Sequence, residues 1–128
     1  MVTPATRKQV LLVEDDVPLA HLLKLKLESE GLSVHIETRG ATALSYAAEH
    51  QVDLVILDLR LPDVSGYEVA KELRKLYHPW VLPLLMLTGM DKPVDQLRGF
   101  AHGADAYLTK PYEPEELMRT IHLLLGEP

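Results

Sequence analysis

The stretch Val52-Asp53-Leu54-Val55-Ile56-Leu57-Asp58 decides the fold class of this chain. It is apolar except for Asp53 and the closing Asp58, it is too short for a free-standing helix, and its apolar residues do not alternate with polar ones. This pattern is typical of strands that are buried on both faces of a parallel sheet. Residues 10–13, 81–87 and 106–108 show the same pattern, so we expect four such strands.

The remaining segments supply a fifth strand and five helices. Ser33–Glu37 alternates polar and apolar residues, which is typical of a strand nearer the edge of a sheet. Elsewhere, apolar residues recur at helical spacing and predict five buried helix faces: Leu19, Leu22, Leu23 and Leu27; Ala43, Leu44, Ala47 and Ala48; Val69, Ala70, Leu73 and Leu76; Val94, Leu97 and Ala101; and Leu117, Ile121, Leu124 and Leu125. Gly31, Gly103 and Gly126 favour helix ends, and Pro114 suits the first turn of the last helix.

Strand and helix therefore alternate five times along the chain. This order predicts an α/β fold, in which a doubly wound five-stranded parallel sheet has helices on both faces, as a (βα)5 three-layer sandwich. We expect a single domain over residues 9–125, with loose tails at residues 1–8 and 126–128. In an open sheet of this type, a functional site lies beyond the carboxyl ends of the strands.

Length, charge and composition exclude several classes of protein. The chain has 128 residues, enough for one hydrophobic core, and no cysteine, which excludes disulfides, thiolate zinc sites and cysteine catalysis. Its net charge of −6 argues against non-specific binding to nucleic acids or anionic membranes. No apolar run approaches the ~18 residues of a membrane span, and the first eight residues lack the apolar core of a signal peptide. We therefore expect a cytoplasmic protein.

Polar groups follow four of the predicted strands: Glu14, Asp15 and Asp16 after the first, Asp58 after the third, Thr88 and Gly89 after the fourth, and Thr109, Lys110 and Pro111 after the fifth. Because parallel strands end at the same edge of the sheet, these carboxylates should converge. Two unit charges about 4 Å apart repel by about 4 kcal/mol at an effective dielectric constant near 20. Lys110 supplies one compensating charge, and the hard oxygen ligands favour Mg²⁺ over zinc for the rest.

Four motifs carry a resemblance to a known family: residues 10–16 (VLLVEDD), 53–66 (DLVILDLRLPDVSG), 83–89 (PLLMLTG) and 103–111 (GADAYLTKP). With these motifs in this order, the chain resembles the receiver domain of two-component response regulators from about Gln9 to Leu125. The resemblance implies a flavodoxin-like fold and a signalling protein that is switched by phosphorylation.

The resemblance also implies a phosphoryl acceptor and a metal site. Asp58 matches the aspartate that takes a phosphoryl group from the phosphohistidine of a partner kinase. Glu14 and Asp15 match the acidic pair that holds Mg²⁺ together with the acceptor, and the backbone carbonyl of Arg60 completes the protein's ligands. The receiver catalyses its own phosphorylation and dephosphorylation, so it is not expected to be an enzyme acting on other substrates.

Four more residues match the family's catalytic and switch positions. Lys110 neutralises a phosphoryl oxygen, and the cis bond expected before Pro111 aims it into the site. Gly89 lets a backbone N–H approach the phosphoryl group. Thr88 turns to donate its hydroxyl to that group, and Tyr107 follows from an exposed to a buried position. The loop that ends at Gly66 is assigned no chemistry, and its glycine is expected to provide backbone freedom.

The implied partners are a sensor histidine kinase or a phosphotransfer protein, and an output domain or protein. The output partner is expected on the surface formed by the fourth helix, the fifth strand and the fifth helix. A homodimer is left open, although Gln96, Ala106 and Thr120 stand where the winged-helix branch of the family places Arg, Asp and Arg. No direct contact with nucleic acid or membrane is expected.

Other interpretations of the same residues remain. Taken singly, Asp16 suits a helix cap, Thr88 a common strand end and Lys110 a surface position. A pseudo-receiver would bind partners without phosphorylation, but it usually lacks an acid, the threonine or the lysine. An aspartate-nucleophile Mg²⁺ phosphatase needs a second acid two residues after the nucleophile, where Arg60 stands. A flavodoxin-type module needs a hydroxyl-rich phosphate loop at residues 14–16, which are acidic.

Overall fold

The computed structural model describes residues 7–77 and 81–126. Strands and helices alternate along them as β1 (Gln9–Val13), α1 (Val17–Ser29), β2 (Ser33–Glu37), α2 (Gly40–Glu49), β3 (Leu54–Leu57), α3 (Gly66–Leu76), β4 (Leu84–Thr88), α4 (Pro93–Ala101), β5 (Ala106–Thr109) and α5 (Pro114–Leu124). The strands form one sheet in the order β2-β1-β3-β4-β5, and every neighbouring pair is parallel. The predicted fold class is therefore confirmed. Most of the two predicted tails, residues 1–6, 127 and 128, lies outside the described residues.

The strand order reverses between β1 and β3. From β1 the chain moves to β2 on one side, and then to β3, β4 and β5 on the other. Val13 pairs with Leu57 at the ends of these two strands, so Glu14 and Asp58 follow at the same edge. Open α/β sheets bind ligands at such a switch point.

Apolar side chains fill both faces of the sheet. Leu11 and Val13 of β1 pack on one face with residues of α2 and α3, and Val10 and Leu12 pack on the other face with residues of α1 and α5. β3 and β4 are buried along their whole length, which explains their unbroken apolar sequences. No helix within the described residues is long and apolar enough to cross a membrane.

The burial predicted for β5 differs from that in the structure. β2 was predicted near an edge and forms one, whereas β5 was predicted to be buried on both faces. All four residues of β5 are half-buried, because β5 forms the other edge of the sheet. The strand predicted from residue 81 begins at Leu84, and Val81 is 65% exposed.

On the helix faces predicted for α1 and α3, two leucines point to solvent. Leu22 of α1 and Leu76 of α3 are 66% and 60% exposed. On α1 the buried residues are Ala20, Leu23 and Leu27. The helix therefore turns a narrower apolar face to the sheet than the leucine spacing predicted.

The face predicted for α4 is also wrong. Its apolar residues Val94, Leu97 and Ala101 are exposed, and the buried residue of α4 is Gly99. A Cβ atom at position 99 would lie 2.8 Å from Sδ of Met86 and 2.9 Å from the ring of Tyr107. The helix therefore approaches the sheet through its glycine, and its apolar stripe lies on the opposite side.

Gly66, the first residue of α3, is required for a different reason from the one expected. Its φ angle is not positive, so backbone freedom does not explain the glycine. A Cβ atom there would lie 2.5 Å from the carbonyl oxygen of Asp58 and 2.6 Å from Cα of Leu59. The glycine therefore allows the first turn of α3 to pack directly against the backbone at the end of β3.

Candidate functional site

Three carboxylates meet at the switch point between β1 and β3. One oxygen atom from each of Glu14, Asp15 and Asp58 lies within 4.8 Å of the other two. The main chain fixes this arrangement, because the Asp58 N–H donates to the carbonyl of Val13 (3.0 Å) and the Glu14 N–H to that of Glu37 (3.1 Å). Glu14 and Asp58 are buried, whereas Asp15 is exposed. Clustered carboxylate oxygens with an open side fit a hard divalent cation such as Mg²⁺.

Lys110 brings a positive charge to two of these carboxylates. Its ammonium donates to Oδ2 of Asp58 at 2.9 Å and also to Oε1 of Glu14. The lysine follows β5, and its N–H donates to the carbonyl of Thr88 at 2.8 Å. The Lys110–Pro111 peptide bond is cis, as the family resemblance implies. The predicted convergence of strand-end residues on one site is therefore present in the fold.

The surroundings of Asp58 favour its ionised form. Burial raises the pKa of its carboxyl group, but hydrogen bonds from Lys110 and from the N–H of Arg60 outweigh that effect. The hydroxyl of Thr88 lowers the pKa further, so the net pKa lies below its usual value. Asp58 is therefore ionised at neutral pH, as a nucleophilic carboxylate must be.

Lys110 and Glu14 are the other two members of this charge network, and their pKa values are also shifted. Burial lowers the pKa of Lys110, but its hydrogen bonds to Glu14 and Asp58 reverse the effect and raise the pKa. For Glu14, burial and the charge of Asp58 raise the pKa, and the hydrogen bond from Lys110 offsets this only in part. Of the two acids that share one ammonium, Asp58 is the stronger.

The other predicted site residues near Asp58 differ in how far they are buried. The N–H of Arg60 donates to Oδ1 of Asp58 at 3.1 Å, which places the backbone of Arg60 at the site. Thr88 is fully buried at the end of β4, whereas Gly89 after it is exposed. A Cβ atom at Gly89 would meet no atom within 4 Å, so no close packing requires a glycine there in this structure.

Tyr107, which is expected to move from an exposed to a buried position in the switch, points toward α4. It is half-buried, and its hydroxyl donates to the carbonyl of Met90 at 2.6 Å. Burial raises the pKa of this phenol, so it stays protonated and able to donate. The inward position is available because Gly99 leaves room for the ring beneath α4.

The chain matches a known protein family over most of its length. The family model for the response regulator receiver domain matches residues 10–122 of the chain. The chain belongs to the response regulator receiver family. The cell cycle response regulator CtrA of Brucella ovis is 39% identical to this receiver domain over 117 residues, which are 91% of this chain and 50% of CtrA. The chain thus spans about half the length of the curated relatives it matches.

Solved structures agree with this family. A receiver domain protein from Methanospirillum hungatei JF-1 has a TM-score of 0.88 at 30% identity and covers 94% of this chain and 95% of its own. A response regulator structure from Chloroflexus aurantiacus J-10-fl has a TM-score of 0.87 at 35% identity, with coverage of 95% and 100%. The receiver domain of a sensor histidine kinase from Pseudomonas aeruginosa PAO1 has a TM-score of 0.86 at 28% identity, covers 95% of this chain and all of its own, and has a magnesium ion in its active site cleft.

One loop residue of this receiver domain makes a contact that was not predicted from the sequence. Asp63, in the loop between β3 and α3, accepts hydrogen bonds from the N–H groups of Gly40 and Ala41, both at 2.9 Å. It therefore caps α2 from another part of the chain. The available signal was indirect: Arg39 precedes this helix and provides no side-chain cap. Asp16, by contrast, was expected as the cap of α1 and accepts from the N–H of Leu19.

Proposed function

We propose that this receiver domain is a phosphorylation-controlled switch whose phosphoryl acceptor is Asp58. The donor is the phosphohistidine of a sensor histidine kinase or of a phosphotransfer protein. The observation that carries the proposal is the position of one buried, ionised aspartate against Lys110, with two further carboxylates beside it. No other carboxylate set of this kind occurs among the described residues.

The residues of the chain supply positioning and charge for the transfer. An oxygen of Asp58 forms a bond to phosphorus as the phosphorus–nitrogen bond to the donor histidine breaks, and that nitrogen keeps the electron pair. Negative charge spreads over the phosphoryl oxygens in such a transfer. The ammonium of Lys110 and the N–H of Gly89 stabilise this charge. They stabilise the same charge when water removes the phosphoryl group.

Mg²⁺ is the metal that the donor set fits best. We assign its protein ligands as the carboxylates of Glu14, Asp15 and Asp58 and the backbone carbonyl of Arg60. The spacing of the three carboxylates and the magnesium ion in the related receiver from P. aeruginosa support this assignment. When bound, the ion supplies positive charge that reduces the repulsion between carboxylate and phosphoryl oxygens.

The signal would leave the site through Thr88 and Tyr107. A phosphoryl group adds about 1.5 to 2 negative charges and three strong acceptor oxygens. The hydroxyl of Thr88 donates to one of them, which stabilises the inward position of Tyr107 beneath α4. The partner that recognises this change is an output domain, an output protein or a second receiver, and it binds the α4–β5–α5 surface. On this surface Leu97 and Leu123 are more than 70% exposed. We also propose a cytoplasmic location for this receiver domain.

Incubation with acetyl phosphate and Mg²⁺, followed by intact-mass measurement, tests this function. We expect a gain of one phosphoryl group that is absent from Asp58→Asn and is lost when the metal is chelated. Asp16→Asn is the matched control: it removes the same charge nearby, and asparagine caps a helix as well as aspartate does. A protein that gains no mass would be a pseudo-receiver, and one that turns over many phosphoesters per chain would be a phosphatase.

A further inference from the structure

The helix α4 has few apolar contacts with the rest of the domain. Gly99 is its buried residue, while Val94, Leu97 and Phe100 are between 47% and 71% exposed. A segment that buries little apolar surface opens more easily than the core. Specific polar contacts therefore have a large share in holding α4 in place.

Tyr67, the second residue of α3, makes such contacts along much of α4. Its side chain is buried, and its hydroxyl donates to the main-chain carbonyl of Asp95 at 3.1 Å. The guanidinium carbon of Arg98 lies 4.3 Å from the centre of its ring, a cation–π distance. The ring of His102, just after α4, lies 5.2 Å away. One side chain from α3 thus contacts the first turn, the middle and the end of α4.

The backbone at Tyr67 is in turn fixed to the end of β3. The N–H of Gly66 donates to the carbonyl of Leu59 at 2.9 Å. The close approach of Gly66 to the carbonyl of Asp58 leaves no space for even a methyl group between them. Because these backbones are in direct contact, the first turn of α3 must follow any movement of the backbone at Asp58.

We propose that Tyr67 is a positioning residue that couples the backbone around Asp58 to α4. The connection through Tyr67 is separate from that of Tyr107. Tyr107 contacts α4 from the sheet, and its hydroxyl donates to the carbonyl of Met90. In the unmodified protein Tyr67 stabilises the observed position of α4. The part of the proposal in which phosphorylation acts through Tyr67 rests on the proposed function; the contact itself does not.

Amide hydrogen exchange of α4, measured before and after phosphorylation with acetyl phosphate, tests this proposal. Tyr67→Phe keeps the ring and removes the hydrogen bond to Asp95. We expect it to speed exchange in α4 of the unmodified protein about fivefold, the effect of losing one hydrogen bond in a locally opening segment. It should also reduce the change in α4 exchange on phosphorylation to less than half, while the rate of phosphoryl uptake stays within about twofold of the natural protein.

Tyr77→Phe is the matched control. The hydroxyl of Tyr77, just after α3, donates to the carbonyl of Ala47 at 2.8 Å, so it makes the same kind of bond to α2 instead of α4. This variant should leave α4 exchange unchanged. Arg98→Met, which removes the cation over the ring, should move α4 exchange in the same direction as Tyr67→Phe.

Two results would overturn the proposal. One is α4 exchange in Tyr67→Phe equal to that of the natural protein. The other is an equal acceleration in Tyr77→Phe, which would indicate general destabilisation. If the natural protein takes up no phosphoryl group, the proposed function fails, and exchange in the unmodified proteins still decides whether Tyr67 holds α4.

Discussion

The Nζ atom of Lys110 lies 2.9 Å from Oδ2 of Asp58, although 52 residues separate the two along the chain. The same ammonium contacts Glu14, so one cation serves two carboxylates that are each less than a tenth exposed. Two acids with one counter-charge cannot both be fully stabilised in their ionised forms. Burial and the charge of Asp58 raise the pKa of Glu14, whereas hydrogen bonds from Lys110 and the N–H of Arg60 overcome burial and lower the pKa of Asp58.

Replacing Lys110 with methionine should destabilise the protein most strongly near neutral pH. We expect the free energy of unfolding to fall by about 1–3 kcal/mol at pH 7, because two buried carboxylates then face each other without a cation. The pKa of Lys110 is raised, so its contribution is present below its unfolded value of 10.5 and is lost as pH rises through the folded value. The pKa of Asp58 is lowered, so its contribution is present above 3.8 and is lost as pH falls through the folded value.

Urea unfolding of Lys110→Met and of the natural protein across this pH range measures the effect. The difference should be widest between about pH 6 and 10 and should narrow at both ends. Lys26→Met is the control, since the Lys26–Glu30 pair is 46% and 40% exposed and should contribute less than about 1 kcal/mol. A difference of the same size at every pH would show that lost packing, and not charge, causes the destabilisation.

Asp15→Asn should weaken Mg²⁺ binding by at least about tenfold, because it removes one charged oxygen ligand from the set of three. Titration calorimetry of the unphosphorylated protein with MgCl₂ measures this affinity. Asp16→Asn removes the same charge from the adjacent residue, which caps α1 and lies outside the carboxylate set. It should change the affinity less than about threefold. Equal weakening in both variants would mean that net charge near the site, and not ligation by Asp15, controls affinity.

Alanine at Gly66 and at Gly89 should have opposite outcomes. Gly66→Ala places a methyl group 2.5 Å from the carbonyl oxygen of Asp58, and we expect it to lower the free energy of unfolding by about 1–3 kcal/mol. Gly89→Ala finds open space and keeps its N–H, so stability should be unchanged or raised by up to about 1 kcal/mol. Chemical denaturation measures both changes. Phosphoryl uptake should persist in Gly89→Ala, and its loss would show that the site closes around this residue during transfer.

Arg74 connects α3 to the loops before β4 and β5. Its guanidinium donates to the carbonyls of Gly103 (2.9 Å) and Leu82 (2.6 Å) and to the carboxylate of Asp105 (2.7 Å). Arg74→Met removes the side-chain donor from two part-buried carbonyls and from a carboxylate that still accepts from the N–H of Leu84, so we expect a loss of about 1–3 kcal/mol in the free energy of unfolding.

The neighbouring Lys75→Met provides the control for Arg74. The Lys75–Glu72 ion pair is 60% and 43% exposed and should contribute no more than about 0.5 kcal/mol. Both variants are measured by urea unfolding at pH 7. Similar small losses in the two would show that water replaces the Arg74 hydrogen bonds at no cost.

The strand ends were predictable from sequence because parallel strands must finish at one edge of the sheet. That rule alone brings Asp58 and Lys110 together, and the structure agrees. The position of α4 was not predictable from its apolar spacing, because a glycine against Tyr107, and not an apolar stripe, decides which side faces the sheet. Contacts such as Tyr67 with Asp95 depend on how two helices lie side by side, and no local pattern encodes this.

The charge of the Asp63 carboxylate should contribute to the stability of the protein. Hydrogen bonds from the N–H groups of Ala41 and Gly40 hold the pKa of its carboxyl group below the usual 3.8. A lowered pKa means that the contribution is present above the unfolded value and is lost as pH falls through the folded value. Asp63→Asn should therefore be less stable than the natural protein at pH 7, where the carboxylate also favours the N-terminus of α2. The difference should shrink as pH falls below 3.8 and through the folded pKa.

Urea unfolding of Asp63→Asn from pH 7 to pH 2.5 separates charge from shape. Asparagine keeps the size of the side chain and one acceptor oxygen, so a difference that persists unchanged into acid would assign the effect to hydrogen-bond geometry alone. Asp91→Asn removes an exposed charge at the same edge of the sheet and controls for net charge. If Asp91→Asn reproduced the same pH-dependent loss, the general field of the acidic edge, and not the cap on α2, would be responsible.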